Sequence, residues 1–351
     1  DCLKDERRLI EKVQQGKTRL FSSGSLEYLI NFKRYYGAFI QHFNELKIKT
    51  FSRIGINKDS IEWDEHIRKL LEVGNGFCMD MDYTAIDGTN CFENVEMFFD
   101  VADAWYGDYH DPKIKAIRNT LREFETHADH VFYDKETRTW IVYKLTGRTN
   151  SGTFITTNLN TFSNEANMRY IWIKIAEPQF RDLYYYKKFV RTGEVGDDLI
   201  ANTHIIASIF FNPITIANEF QKMGLTVTSG RKDGALSFSR VEECVFLKNT
   251  TGIMMRRFVP LMNFDAMMET LNWIRKSEFM ISHDQACEDN CNNVLRNCFW
   301  YCQNIFNGVR KAILEHVDYN LLTYKALLRD YMEFDTILDP LSLSGRRTVN
   351  V

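Results

Sequence analysis

Apolar positions along the chain change period several times, and each change predicts an element. From Trp63 to Leu71 they recur at helical spacing, and the run Gly76-Phe77-Cys78-Met79 that follows suits a buried strand ending near Asp82. Asn90 to Trp105, with Val95, Phe98, Phe99, Val101 and Ala102, predicts a helix packed beneath that strand's sheet. Lys113 to His127 repeats the helical period after Pro112. Val131 to Tyr133 and Thr139 to Leu145 flank the polar stretch Asp134 to Arg138, which predicts a hairpin. A second hairpin turns between Val195 and Leu199-Ile200-Ala201, where Gly196 permits a sharp reversal. Pro213 opens and Gly224 closes a helix over Ile214 to Met223. Beyond residue 257 the pattern is helical, with Trp273, Phe299, Trp300, Ile305 and Phe306 as core candidates. The tail from Ser342 to Val351 has no period and reads as disordered.

Composition narrows the class without choosing it. The 351 residues allow one large or two smaller domains, and 44% hydrophobic with 26% charged residues fits a folded chain with a sizeable core. A net charge of −3 excludes a uniformly basic nucleic-acid coat. It still admits a nucleic-acid enzyme whose acids gather at one site while cations line a channel. Aromatics at 14% supply core and leave some rings to stack on bases. No apolar run is long enough to cross a membrane. The eight cysteines show no secreted framework, which points to reduced thiols. Cys287, Cys291, Cys298 and Cys302 share one helical stripe, but that stripe is about 22 Å long and cannot enclose a single zinc ion. They read as a buried helix face. His127 and His130 read as a pair at a helix end.

Three widely spaced strings carry the chemistry: Met81 to Asp87 with two acids, Ser151 to Asn160, and Gly196-Asp197-Asp198. Nucleotidyl transfer needs a hydroxyl activated, a pentavalent phosphorus stabilised and a pyrophosphate neutralised, and two hard cations about 4 Å apart do all three. Mg²⁺ prefers carboxylate oxygens and completes its shell with water and substrate phosphate, so few protein ligands suffice. Asp82 at a strand end and Asp197-Asp198 at a hairpin tip are suited to that task.

In this order the strings resemble the RNA-dependent RNA polymerases of picornavirus-like positive-strand RNA viruses, from about residue 4 to residue 275. The resemblance implies an α+β fold of right-hand architecture, with an antiparallel palm sheet and packed helices, partial fingers and a helical thumb. It implies fingers over 1–35, palm over 36–127 and 146–256, a fingers hairpin over 128–145 and thumb over 257–351. Lys4, Arg8, Lys12 and Arg19 then match the basic motif that faces the incoming triphosphate. Asp82 and Asp87 match the first palm motif; Ser151, Gly152, Thr156 and Asn160 the second; Gly196, Asp197 and Asp198 the third. Gly224-Leu225-Thr226 with Lys232 matches the fourth, and Phe246-Leu247-Lys248 the fifth. By this resemblance Asp82, Asp197 and Asp198 hold Mg²⁺ (or Mn²⁺) and Lys232 supplies a proton to pyrophosphate. Asp87 and Asn160 offer an acceptor and a donor to a ribose 2′-hydroxyl, where reverse transcriptases generally place a bulky aromatic.

Two departures stand out. Val195 occupies the position where the family usually has Tyr, and Arg191 to Glu194 are more polar than a buried strand should be. Asp80 is an extra acid on the face of Asp82, placed either to assist the metals or to sit at their edge. The chain opens almost inside the basic motif and is expected to be a fragment, cut from a polyprotein or incomplete. The resemblance implies an enzyme that copies viral RNA from template, primer and nucleoside triphosphates, in host cytoplasm at replication complexes. Initiation from a protein primer stays open. The alternatives are a catalytically silent RNA- or protein-binding palm and thumb, and a reverse transcriptase.

Overall fold

A computed structural model describes residues 1–4, 10–17, 19–84, 86–107, 111–232, 234, 236–274, 282–317 and 331. Short strands β1 (Cys2–Leu3) and β2 (Leu20–Phe21) pair first, with the helix Ile10–Gln14 between them. The helix Leu26–Glu45 starts where the Ser25 hydroxyl accepts the Tyr28 N–H, and buries Phe32, Tyr36, Phe39 and Ile40 along one face. Ser60 caps the helix Ile61–Leu71, whose Trp63, Ile67 and Leu70 point inward. The strand β3 (Cys78–Tyr83) follows, ending one residue past the expected acid Asp82.

The helix Phe92–Tyr106 buries Val95, Phe98, Phe99 and Ala102, but Val101 is exposed. Its buried residues join those of the helix Leu26–Glu45 and Ile155 and Leu159, rather than lying beneath the sheet as the sequence suggests. The helix Pro112–Thr126 leads into β4 (His127–Asp134), which pairs with β5 (Thr139–Thr146) as the expected hairpin. His130 is therefore a strand residue, not one of a helix-end pair. Its ring nitrogens meet Asp1 and Asn150, while His127 closes the helix beside Thr126.

The central sheet has the order β6 (Val190–Val195), β7 (Asp198–Thr203), β3, β8 (Val227–Thr228). Every pairing is antiparallel. One face carries Met79, Met81, Tyr83, Leu199 and Ala201 onto Met168, Ile171 and Trp172 of the helix Thr156–Ile175, and onto Ile216 and Phe220 of the helix Pro213–Lys222. The other carries Cys78 and Ile200 onto Trp63, Ile67 and Phe246. Because β6 is an edge strand, its polarity has a reason. The segment Phe51–Arg53 pairs with it, Arg53 N–H donating to the Glu194 carbonyl at 2.9 Å and Glu194 N–H to that of Phe51 at 3.0 Å. The Thr192 hydroxyl donates to Glu165 at 2.9 Å, and Arg53, fully buried, donates to His66 Nδ1 at 2.7 Å. Covering an edge in this way removes a template for stray pairing.

Strands β9 (Asn249–Met254) and β10 (Arg257–Met262) form a last hairpin. Val259 joins a separate core with Trp300 and with Leu295, Phe299, Phe306 and Ile313 from the helices His283–Phe299 and Gln303–His316. Three expectations fail in this region. Arg257–Met262 is a strand where the sequence suggests helix. Trp273 is 54% exposed, and Cys302 lies beyond the end of the first helix, exposed at the start of the second. Cys291 and Cys298 are buried as small apolar groups, with Cys287 half-buried beside them. The tail 342–351 lies outside the described residues.

Candidate active site

Antiparallel register brings two of the predicted acids together: Asp82 stands directly opposite Asp198 across β3 and β7. On the other side of β7, Val195 of β6 pairs with Asp198, leaving Gly196 and Asp197 as a two-residue turn. Gly196 has φ +62°, which a β-carbon would penalise, and a glycine first in such a turn matches the twist of the strands. The turn is clamped from below. Thr161 Oγ1 accepts the Gly196 N–H at 2.8 Å, and Asn164 Nδ2 donates to the Gly196 carbonyl at 2.6 Å. Both come from the helix Thr156–Ile175. Their signal in the sequence is a helix with polar residues on every side that is nonetheless buried.

The three aspartates differ in setting. Asp197 is exposed at the tip, and Asp82 and Asp198 are half-buried. Burial raises the Asp198 carboxyl to about 6, with Asp197 and Asp82 adding to it and Lys248 and Lys232 opposing. Burial also raises Asp82; Lys232 opposes this and Asp197 reinforces it. Lys232 Nζ is 3.8 Å from Asp82 Oδ2, on a side chain 76% exposed. Lys248 is the cation that sequence reasoning left out of the site. It occupies a two-residue turn with Leu247, closed by reciprocal backbone bonds between Phe246 and Asn249 of 2.9 Å each.

Beside this cluster, Asn160 Nδ2 donates to Asp87 Oδ1 at 2.6 Å, and Asn160 Oδ1 is buried without a protein partner. Asp87 is tied on by its carbonyl, which accepts the Thr149 N–H at 3.1 Å. Asn90 in turn donates to Thr149 and to Ser163, each at 2.9 Å, so a polar network fixes this corner. The Thr156 hydroxyl is occupied within its own loop, donating to the Asn150 carbonyl at 2.8 Å and accepting the Gly152 N–H at 3.2 Å. Ser151 accepts the Ser22 N–H through its carbonyl at 2.6 Å, which docks the β1–β2 ribbon on the loop. Lys4 and Arg19 are joined across that ribbon, Lys4 N–H donating to the Arg19 carbonyl at 2.8 Å, and both are exposed. Lys12 is exposed on the short helix between them, and Arg8 lies outside the described residues.

Asp80 does not join the carboxylate cluster. It is 6% exposed, and its oxygens accept from Val245 N–H at 2.7 Å and the Ser229 hydroxyl at 3.4 Å.

The donors that could hold a divalent cation are all carboxylate oxygens, close together, part-exposed and mutually repelling, which suits hard cations. Among the described residues no three or more His, Cys, Asp or Glu side chains, these three aspartates included, are already grouped to hold a metal ion. A Mg²⁺ shell completed by water and phosphate does not require one.

Residues 1–342 match the viral RNA-dependent RNA polymerase family. The replicase polyprotein of Acute bee paralysis virus (strain Rothamsted) is 31% identical across 89% of this chain, and that of Drosophila C virus (strain EB) 27% across 97%. The chain spans 16% and 20% of the length of those two polyproteins. Among solved structures, the Sicinivirus 3Dpol RNA dependent RNA polymerase superposes with a TM-score of 0.75 at 18% identity, over 97% of this chain and 67% of that one. That likeness is one of fold, and it bears out the α+β right-hand architecture expected from the sequence. The chain therefore belongs to the viral RNA-dependent RNA polymerase family.

Proposed function

We propose that this chain carries the catalytic centre of an enzyme that copies a positive-strand RNA viral genome, extending a primer on an RNA template from nucleoside triphosphates. The observation that carries the reading is the pairing of Asp82 with Asp198 beside a clamped Gly196-Asp197 turn. Such a placement fixes carboxylates on rigid strands, where positioned charge is most effective. In this reading Asp82, Asp197 and Asp198 hold two Mg²⁺ ions, which Mn²⁺ can replace. When bound, the ions activate the primer hydroxyl and neutralise charge on the transferring phosphate and the pyrophosphate.

The chain's own residues do the rest. Asp87 and Asn160, already oriented by each other and by the network around Thr149, select a ribose bearing a 2′-hydroxyl. Ser151, Gly152 and Thr156 shape the loop beside them. Lys4, Arg8, Lys12 and Arg19 attract the triphosphate. Lys232 approaches Asp82 from an exposed loop and gives a proton to the departing pyrophosphate. No helix among the described residues is long and apolar enough to cross a membrane. We place the enzyme at cytoplasmic replication complexes, and a protein primer is one of the initiators to be tested.

Primer extension on an RNA template tests this reading, using this chain and a version extended at its N-terminus. Mg²⁺-dependent extension is expected, lost on chelation and reduced by several orders of magnitude in Asp197→Asn. Near-normal extension by Asp197→Asn would sink the mechanism. Extension by neither protein would return the chain to a silent binding role.

A further inference from the structure

We infer that Asp80 is a positioning residue for Lys232: its buried carboxylate holds the loop that carries the lysine up to Asp82. The inference rests on the polymerase reading of the site. Asp80 and Asp82 share one face of β3, the face that also presents Asp198. Asp82 stays part-exposed at the strand end, whereas Asp80 lies two residues back under cover.

What covers Asp80 is the stretch Ser229–Arg231. The Ser229 hydroxyl donates to Oδ1 at 3.4 Å and the backbone N–H of Val245 to Oδ2 at 2.7 Å; burial raises the carboxyl, with the Val245 N–H and the Arg231 guanidinium opposing. Gly230 rests so close that a β-carbon there would come within 3.2 Å of Asp80 Oδ2 and 3.3 Å of the Val245 carbonyl. The stretch then turns tightly, Lys232 N–H donating to the Ser229 carbonyl at 3.0 Å with Lys232 at φ +56°. Lys232 is thus carried by a loop whose inner side is bound to Asp80, while its side chain crosses solvent to reach Asp82. An exposed lysine has many rotamers, and the placement of its backbone decides how often the ammonium meets its partner. A buried acid with both oxygens committed in this way is poorly placed to be a metal ligand. It is well placed to set the distance between two other groups.

The test is a double-mutant cycle on the intact chain in its active form, read by single-turnover nucleotide incorporation, with melting temperatures recorded. Asp80→Asn is expected to slow incorporation roughly 10- to 100-fold with apparent nucleotide affinity changed less than about threefold. In a Lys232→Met background the same change should cost less than about threefold more, because the lysine it positions is gone. Gly230→Ala disturbs the same contact from the other side and should show the same non-additivity. Its φ lies outside the left-handed region, so alanine can adopt the backbone and this variant carries the test if Asp80→Asn fails to fold. Parent-rate incorporation by the folded variants, full multiplication of their cost by Lys232→Met, or a Lys232→Met variant at parent rate would each overturn the inference. Asp197→Asn serves as the control for the underlying reading. If it remains active the site is misassigned, whereas an inactive Asp197→Asn beside a silent Asp80→Asn removes only the role of Asp80.

Discussion

Asn160 and Asp87, 73 positions apart in the chain, are joined by a hydrogen bond of 2.6 Å from the amide nitrogen to the carboxylate. The bond leaves the amide oxygen buried and unpartnered and sets both side chains as one polar unit. A sugar bearing a 2′-hydroxyl can complete such a unit, and one lacking it leaves the polar groups unpaired. Asp87→Ala and Asn160→Ala should each reduce the ratio of kcat/KM for ribo- over deoxyribonucleotides more than they slow the better substrate. The double variant should lose little beyond either single one. An unchanged ratio in all three would assign the pair a structural role.

If the aspartates hold Mg²⁺ as proposed, acid should weaken that binding. Asp198 is raised to about 6 from an ordinary 3.8, so below about pH 6 its proton competes with the cation. Apparent Mg²⁺ affinity should fall steeply there. The sign for stability is opposite. A carboxyl raised by folding stabilises the fold while protonated, and that contribution disappears as pH rises from about 4 through 6. Asp198→Asn should therefore raise the metal-free melting temperature at pH 7.5, while abolishing the stabilisation gained on adding Mg²⁺. Equal metal-free melting curves for parent and variant at that pH would contradict the assignment.

Lys232→Arg keeps a positive charge near Asp82 but donates a proton poorly. Single-turnover incorporation should slow in both Lys232→Arg and Lys232→Met, less in the former, with nucleotide affinity little altered. Parent rates across the pH range in both variants would make Lys232 a surface lysine.

The Gly196 turn depends on its clamp. Thr161→Val keeps the volume but leaves the Gly196 N–H buried without an acceptor, at a cost of about 1–3 kcal/mol. Chemical denaturation should show that loss, and activity should fall with it. A stability within 0.5 kcal/mol of the parent would mean that the N–H finds another partner, on the scale typical of harmless substitutions.

Glu125 provides a pH test away from the aspartates. Burial raises its carboxyl to about 7 from 4.5, against hydrogen bonds from Tyr28 at 2.5 Å and Asn150 at 3.4 Å. Its stabilising contribution is complete below about 4.5 and is lost as pH rises through 7. Parent protein should thus lose stability between about pH 4.5 and 7 relative to Glu125→Gln, whose amide oxygen can still accept from Tyr28. Parallel stability curves for the two over that range would show that Glu125 does not titrate there.

Features set by neighbouring residues were legible in the sequence. The strand ending just past Asp82, the hairpin tip at Gly196 and the helix between Pro213 and Gly224 each announce themselves through local periodicity and a turn residue. The pairing of Asp87 with Asn160 was foreseeable only because a family pattern links the two strings. The task of Asp80 was not, since its partners Ser229 and Val245 lie 149 and 165 positions away. The polar strand Arg191–Glu194 looked anomalous for the same reason: Phe51 and Arg53, which pair with the Glu194 backbone, and Glu165, which accepts from the Thr192 hydroxyl, come from distant segments. Trp273 and Cys302 were misplaced because apolar character and a helical period do not tell where a helix stops or which face a core will cover.

Asn160, Thr161 and Asn164 occupy a single turn of one helix, the first touching the Asp87 carboxylate and the other two holding the Gly196 backbone. A helix resists bending over such a span, so a displacement felt at Asn160 is passed to the turn that carries Asp197. On the proposed reading, copying accuracy would then acquire a mechanical component: a mismatched sugar that pushed or released Asn160 would also shift the carboxylates out of alignment, and the error would slow its own incorporation.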